Sequence, residues 1–212
     1  MLRTSIIFLA LVLVCGAFAV RAQQVQAGES SPLSYGFVVD NSGSYRVFLE
    51  RIITMVKTVV DSNTEKDESF LVTFVDNAKT SVRQEFTAEK GELKDAAENM
   101  FIEGGQSTVL DAVRLSIDYL SANAKANDGR KRAILLITDG DDRGSSAKLE
   151  TVVAAAKNAN TRILIVGMSD DKLNTKLLDR LAKDSGGRVF YPKTPKEAVS
   201  ITTEVIAALR GN

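Results

Sequence analysis

The segment YGFVVDNSGSYR, residues Tyr35–Arg46, joins a short apolar run to an aspartate and two serines. An apolar run of this length, bounded by turn-forming residues, is typical of a strand buried inside a parallel sheet. Asp40, Ser42 and Ser44 follow it at two-residue intervals, and a turn with a helix cap would explain each of them singly. The same spacing also suits a tight loop that turns three oxygen-bearing side chains toward one cation. This segment alone leaves both interpretations open.

After this segment, short apolar runs alternate with amphipathic segments. Strands are predicted at 33–40, 69–76, 80–86, 131–139, 161–168 and 187–192, and helices at 45–62, 89–100, 108–124, 145–159, 171–186 and 194–210. This alternation predicts right-handed βαβ crossovers and an α/β fold, with a doubly wound, mostly parallel six-stranded sheet and helices on both faces. The turn DNAK predicts a hairpin that places one antiparallel strand, 80–86, at an edge. KRAILLITD, 131–139, is the most apolar run and is predicted to be central.

Two later segments also place oxygen-bearing side chains at predicted strand ends. GGQST combines a glycine pair with the hydroxyls of Ser107 and Thr108 where a helix begins, and ITDGDD places Asp139 at the end of the central strand. Ligand sites in open α/β sheets lie beyond the carboxyl ends of the strands, so these segments are expected to meet the loop after Asp40. Two carboxylates and three hydroxyls would fill most of the octahedral shell of a Mg²⁺-sized ion and leave one position open.

Together the three motifs resemble the von Willebrand factor type A (VWA) domain, over about residues 33–210, and in particular the exported bacterial proteins of that family. In that family these loops build a metal-ion-dependent adhesion site for Mg²⁺ or Mn²⁺, with Ca²⁺ less favoured. The resemblance implies one set of metal ligands: Asp40, Ser42, Ser44, Ser107 and Asp139. Ser107 falls at the position of the family's threonine, and Thr108 is the alternative. Asp141 is a further possible ligand, whereas the position of Asp111 in a helix's first turn is explained by the helix dipole alone.

The first 22 residues have the pattern of a secretion signal. Arg3 supplies the positive charge, the apolar run that follows is short for a membrane span, and small or aliphatic residues precede a cleavage position after Ala22. An uncleaved membrane anchor is the alternative. The predicted organisation is a signal peptide at 1–22, a flexible leader at 23–32 and one VWA-like domain at 33–212. Cys15, the only cysteine, would leave with the signal, so we expect a disulfide-free protein that is periplasmic or extracellular and not inserted in the membrane after cleavage.

Composition narrows the function. The 27 basic and 27 acidic residues balance, which argues against nucleic acid as a partner. The chain has no histidine, the commonest general base and transition-metal ligand. We therefore expect a monomeric, exported, metal-dependent binding module whose open coordination position takes an Asp or Glu carboxylate of a protein partner, with rim contacts from Asn41, Tyr45, Gln106 and Arg143.

Two alternatives remain from the sequence. A metal-dependent hydrolase would use Asp40 as nucleophile or base, but the chain contains neither a GxSxG elbow nor a GxxxxGK[ST] loop. The other alternative is an interaction scaffold that binds without metal and keeps only a vestigial site. Of the three, we expect the binding module and no enzymatic activity.

Overall fold

The computed structural model describes residues 31–125 and 129–211. The predicted signal peptide and most of the predicted leader lie outside the described residues. The strands are β1 (Leu33–Asp40), β2 (Glu68–Phe74), β3 (Ser81–Thr87), β4 (Lys131–Thr138), β5 (Thr161–Gly167) and β6 (Val189–Phe190). The helices are α1 (Leu49–Asp61), α2 (Lys90–Glu98), α3 (Val109–Asn123), α4 (Leu149–Asn158), α5 (Thr175–Asp184) and α6 (Pro195–Arg210). Over these ranges no helix has both the length and the apolar character needed to cross a bilayer.

The sheet confirms the predicted architecture. Its strand order is β3-β2-β1-β4-β5-β6, and only the β2–β3 pair is antiparallel, with β3 at the edge. The most apolar strand, β4, lies beside β1 at the centre. Because the chain moves outward from β1 to β2 but in the opposite direction from β4 to β5, the loops after β1 and β4 diverge and leave a crevice between them.

Helices cover both faces of the sheet. One core layer packs the helices α1, α2 and α6 against β1 side chains such as Tyr35 and Phe37. The other packs α3, α4 and α5 against the opposite face, where Val38 of β1 points. Successive residues of β1 therefore enter different layers, which explains why this strand is apolar without alternation.

Several predicted boundaries were too wide. The helix predicted at 45–62 begins at Leu49, because Gly43–Tyr45 forms a separate 3₁₀ turn. Val47 has the helical spacing of the apolar residues that follow it within 45–62, yet it is 59% exposed. The helices predicted to begin at 145 and 171 begin at Leu149 and Thr175, and β6 is only two residues long.

Candidate functional site

Asp40 forms the floor of the site. It ends β1 and is only 1% exposed. Its Oδ1 accepts hydrogen bonds from the backbone N–H of Ser42 at 3.0 Å and from the Ser107 hydroxyl at 3.1 Å. Its Oδ2 accepts a 3.0 Å hydrogen bond from the Thr138 hydroxyl. One buried carboxylate thus joins the ends of β1 and β4 to the loop that precedes α3.

Two serines and Asp139 continue this network toward solvent. The hydroxyl oxygens of Ser42 and Ser44 lie 3.1 Å apart, and the Ser44 hydroxyl donates to Oδ2 of Asp139 at 3.3 Å. The other oxygen of Asp139 accepts the backbone N–H of Asp141 at 2.8 Å. Ser44 is exposed whereas Asp139 is 7% exposed. A pocket of about 240 Å³ opens over these groups.

The two carboxylates carry negative charge, and Arg143 at the rim is near enough for its charge to interact with that of Asp139. Across the described residues, neither Asp40 nor Asp139 makes an ion pair. Burial raises the pKa of Asp40 to about 6, and the charge of Asp139 adds to the effect. Burial also raises the pKa of Asp139, with a further contribution from the charge of Asp141. Such a pair favours a bound cation, because a cation would relieve both the desolvation and the repulsion.

The structure brings together all five residues implied as principal ligands: Asp40, Ser42, Ser44, Ser107 and Asp139. Within the described ranges, no group of three or more His, Cys, Asp or Glu side chains is placed to hold a metal ion. A cation in this pocket would therefore depend on serine hydroxyls as well as on the two carboxylates. This all-oxygen donor set fits a hard divalent ion such as Mg²⁺ or Mn²⁺.

The two further candidate ligands, Thr108 and Asp141, each make a contact outside the five principal residues. The Thr108 hydroxyl is directed to the Val75 carbonyl oxygen at 3.3 Å, and its backbone N–H donates to the same oxygen at 2.7 Å. The carboxylate of Asp141 pairs with Arg143, whose Nε donates to its Oδ1 at 2.9 Å. Thr108 therefore fixes the start of α3, and Asp141 lies at the rim beside a cation.

Two of the four predicted rim contacts were wrong. Asn41 is buried and its Nδ2 donates to the Phe101 carbonyl oxygen at 3.1 Å. Tyr45 is also buried, and its hydroxyl donates to the Met168 carbonyl oxygen at 3.0 Å. Both residues hold the loop after β1 in place from beneath. Gln106 and Arg143 are exposed and line the pocket, as a rim position requires.

Glycines shape the two loops opposite Asp40. Gly105 has a φ of +135°, and a Cβ there would lie 2.6 Å from Cγ1 of Val75. Gly140 has a φ of +77°, and a Cβ would lie 2.9 Å from Cγ of Leu178. A side chain at either position would push its loop away from the site.

Further residues that support the site were missed or misread. The Thr138 hydroxyl donates to Asp40 and also accepts the Gly140 N–H at 3.1 Å. Only its position directly before Asp139 could have indicated this supporting role from the sequence. The position of Asp111 was attributed to the helix dipole alone, but its carboxylate accepts the backbone N–H groups of Ser146 and Ala147. Asp111 thus anchors the loop that follows β4 to α3.

The start of α3 is capped from the same loop. Oδ1 of Asp142 accepts the Val109 N–H at 3.1 Å, and the Ser145 hydroxyl accepts the Leu110 N–H at 3.1 Å. Asp142 caps a helix that begins 33 positions earlier in the chain, and such a contact leaves no local pattern in the sequence. These contacts fix the position of the loop carrying Asp139 relative to the loop carrying Ser107.

Comparison with known proteins identifies the family and the fold. The family model of the von Willebrand factor type A domain matches residues 36–204. Among curated protein sequences, none matches the chain significantly.

Solved structures share the fold at low sequence identity. A von Willebrand factor type A protein from Catenulispora acidiphila superposes with a TM-score of 0.73 at 18% identity, over 85% of this chain and 43% of its own. An aerotolerance-related membrane protein from Bacteroides fragilis gives 0.68 at 17% identity, over 85% of this chain and 100% of its own. The pilus adhesin SpaC from Lactobacillus rhamnosus GG, in an open conformation, gives 0.65 at 13% identity, over 85% and 30%.

Proposed function

Because this chain belongs to the von Willebrand factor type A domain family, whose members generally act as protein-interaction modules and not as enzymes, we propose that it captures an acidic group of a protein partner through a bound Mg²⁺ or Mn²⁺. One observation carries the proposal. Two largely buried carboxylates, Asp40 and Asp139, stand without an ion pair in the described chain, surrounded by three serine hydroxyls. A divalent cation is the simplest group that satisfies all of these oxygens at once.

The protein's own groups would each have a defined part. Asp40 is held by three hydrogen-bond donors, so its carboxylate is already oriented before any ion arrives. Ser42, Ser44 and Ser107 provide hydroxyl oxygens around it, and Asp139 provides the second carboxylate. When bound, the ion would supply an open coordination position for a carboxylate oxygen of the partner. Ser44 lies at the mouth, where a partner's side chain would enter.

The surroundings favour an acidic partner once the site carries a divalent charge. A second pocket, of about 680 Å³, extends from Asp139 to the start of α5. Its walls include the exposed cations Lys172 and Lys176 together with Arg143, and three carboxylates on its walls offset their charge. A bound divalent ion would tip this balance to positive and raise the rate at which an acidic surface associates.

The export of the protein is part of the same proposal. It rests on the predicted signal in residues 1–22, and the fold relatives include a membrane protein and a pilus adhesin. We expect cleavage after Ala22 and a monomer in solution. Mass spectrometry of the protein recovered from the periplasm and medium tests the first expectation, and light scattering during gel filtration tests the second.

Calorimetric titration with Mg²⁺ and Mn²⁺ tests the site directly. The wild-type protein should bind one ion per chain, Asp40→Asn should abolish the binding, and the matched control Asp118→Asn, an exposed carboxylate on α3, should bind as the wild type does. Addition of an acidic peptide to the metal-loaded protein should then give a second, EDTA-sensitive binding event. Absence of wild-type ion binding at millimolar concentration, with or without the peptide, would overturn the proposal.

A further inference from the structure

A strongly basic pocket of about 390 Å³ lies at the amino ends of β4 and β5. The candidate metal site lies at the other end of the strands. Four cationic side chains line it: Arg130, Lys131, Arg132 and Arg162. The backbones of Gly129 and Gly211 form part of its wall and add no bulk. The whole chain has no net charge, so this concentration of positive charge is local.

Three of these cations, Lys131, Arg132 and Arg162, make no ion pair with a carboxylate of the described residues. The carboxylate of Glu68 lies 3.7 Å from Arg130. Arg162 donates instead to neutral carbonyl oxygens, those of Ala208 at 2.8 Å and Leu209 at 2.9 Å. These contacts hold the end of α6, and Arg162 has no carboxylate partner among the described residues. Burial lowers the pKa of this guanidinium.

Lys131 makes the same kind of contact, because its Nζ donates to the carbonyl oxygen of Arg210. Arg132 differs from the others, because its partly buried side chain makes no hydrogen bond or ion pair with any described residue. It lies between Ser34 and Thr161 in the sheet register, in the mouth of the pocket. A guanidinium whose five N–H donors are not used by the described residues, in a concave and positively charged site, is suited to an anion.

We propose that this pocket binds a phosphate group, held by Arg132 with support from Arg162 and Lys131. A planar guanidinium donates two parallel hydrogen bonds to phosphate oxygens, and several cations around one site match its higher charge better than they match a single carboxylate. The residues that line the pocket include no aromatic side chain on which a nucleobase would stack. The recognised group is therefore the phosphate itself, in a small phosphorylated anion or in a lipid headgroup.

Arg132 separates this role from the support of α6. Arg162 and Lys131 hold the end of α6, so their substitution would change stability as well as anion binding. Arg132 makes no hydrogen bond or ion pair with the described residues, so Arg132→Ala should leave the free energy of unfolding in chloride within about 0.5 kcal/mol of the wild type. The matched control is Arg46→Ala. Arg46 is exposed, and its side chain has no hydrogen bond or ion pair with the described residues. It follows β1 at the carboxyl ends of the strands, away from the basic pocket.

The test uses inorganic phosphate, titrated into the protein in EDTA at constant ionic strength with chloride as the balancing anion. EDTA removes divalent cations, so no metal ion at the candidate site can bind the phosphate and the result does not depend on the proposed function. We expect saturable phosphate binding by calorimetry and a rise in melting temperature. Arg132→Ala should weaken the binding about tenfold or more, and Arg46→Ala should not change it.

A second arm identifies the source of the phosphate. Sedimentation with phosphatidylglycerol vesicles is compared with sedimentation with phosphatidylcholine vesicles, for the wild type and both variants. Binding of free phosphate that Arg132→Ala weakens supports a small phosphorylated ligand. Retention by phosphatidylglycerol vesicles alone, lost in Arg132→Ala, supports a lipid headgroup. Absence of both, or binding by Arg132→Ala equal to the wild type, overturns the proposal.

Discussion

The hydroxyl of Ser107 donates a 3.1 Å hydrogen bond to Oδ1 of Asp40, 67 residues earlier in the chain. The same carboxylate oxygen accepts the Ser42 N–H, so a single atom fixes two loops of the candidate site relative to each other. The neighbouring Thr108 hydroxyl is directed to the Val75 carbonyl oxygen instead. The two adjacent hydroxyls therefore have separable roles, although their order in the sequence could not distinguish them.

The first prediction uses this pair. Ser107→Ala removes a proposed ligand oxygen and the hydrogen bond to Asp40, so Mg²⁺ affinity should fall about tenfold or more. Thr108→Val removes only the hydroxyl bonded to Val75 and should leave Mg²⁺ affinity within about a factor of two. Calorimetry on both variants makes the comparison. A loss of affinity in Thr108→Val with none in Ser107→Ala would show that the ligand assignment is wrong.

The second prediction concerns pH. Burial raises the pKa of Asp40 to about 6, whereas in the unfolded chain it is about 3.9. Near pH 5 the folded protein thus holds a proton that the unfolded chain has lost, and stability decreases as pH rises through 6. We expect the free energy of unfolding of the metal-free protein to be lower at pH 7.5 than at pH 5, by about 1.4 kcal/mol from Asp40. Urea denaturation in EDTA measures the difference.

Asp40→Asn provides the control for this pH effect. The amide does not titrate, so the variant should show a much flatter profile between pH 5 and 7.5. Saturating Mg²⁺ should restore the wild type at pH 7.5 and should have no effect on the variant. The chain has no histidine to titrate in the same range. A wild-type stability that increases from pH 5 to pH 7.5 in EDTA would contradict the prediction.

The sequence was sufficient to predict that β4 is central and that β3 is an antiparallel edge strand, because these follow from the most apolar run and from a short hairpin turn. It also gave the five side chains that converge, through spacing and resemblance. It did not reveal that Asn41 and Tyr45 point inward, since Nδ2 of Asn41 and the hydroxyl of Tyr45 donate to the distant carbonyl oxygens of Phe101 and Met168.

The start of α1 shows the same limitation. Val47 has the spacing of a core residue, but the 3₁₀ turn at Gly43–Tyr45 changes the direction of the chain before the helix begins. Side-chain periodicity locates a helix face only within a continuous helix. The capping of α3 by Asp142 likewise depends on tertiary contacts that no local pattern encodes.

The third prediction tests the glycine pair. Gly105→Ala would place a Cβ 2.6 Å from Cγ1 of Val75 on a backbone with φ of +135°, so we expect a loss of about 2 kcal/mol in the free energy of unfolding. It should also weaken Mg²⁺ binding, because the loop carries Ser107. Gly43→Ala is the matched control, since a Cβ there meets no atom within 4 Å, and it should cost less than about 0.5 kcal/mol. Equal stability of the two variants would contradict the steric argument.

The fourth prediction concerns the ion pair that joins α6 to the loop before β2. Asp67 is 1% exposed, and its two oxygens accept hydrogen bonds from Arg210 at 2.9 Å and 2.6 Å. Arg210→Ala would leave this carboxylate buried without a cation, so we expect a loss of about 3 kcal/mol in the free energy of unfolding. Arg188→Ala, which removes an exposed pair with Glu204, should cost less than about 1 kcal/mol.

The acid side of the stability profile provides an independent readout of the same pair. Burial alone would raise the pKa of Asp67, but hydrogen bonds from Arg210 and Thr64 outweigh burial and lower it. A lowered pKa means that this group stabilises the fold above its unfolded pKa of about 3.9 and that the contribution is lost as pH falls through the folded value. Between pH 5 and pH 3 the wild type should therefore lose stability relative to Arg210→Ala, because Asp67 in the variant no longer favours the charged form, whereas the opposite effect of Asp40 is common to both proteins. An acid dependence in Arg210→Ala as steep as that of the wild type would show that other carboxylates, and not this pair, set the acid limit of the fold.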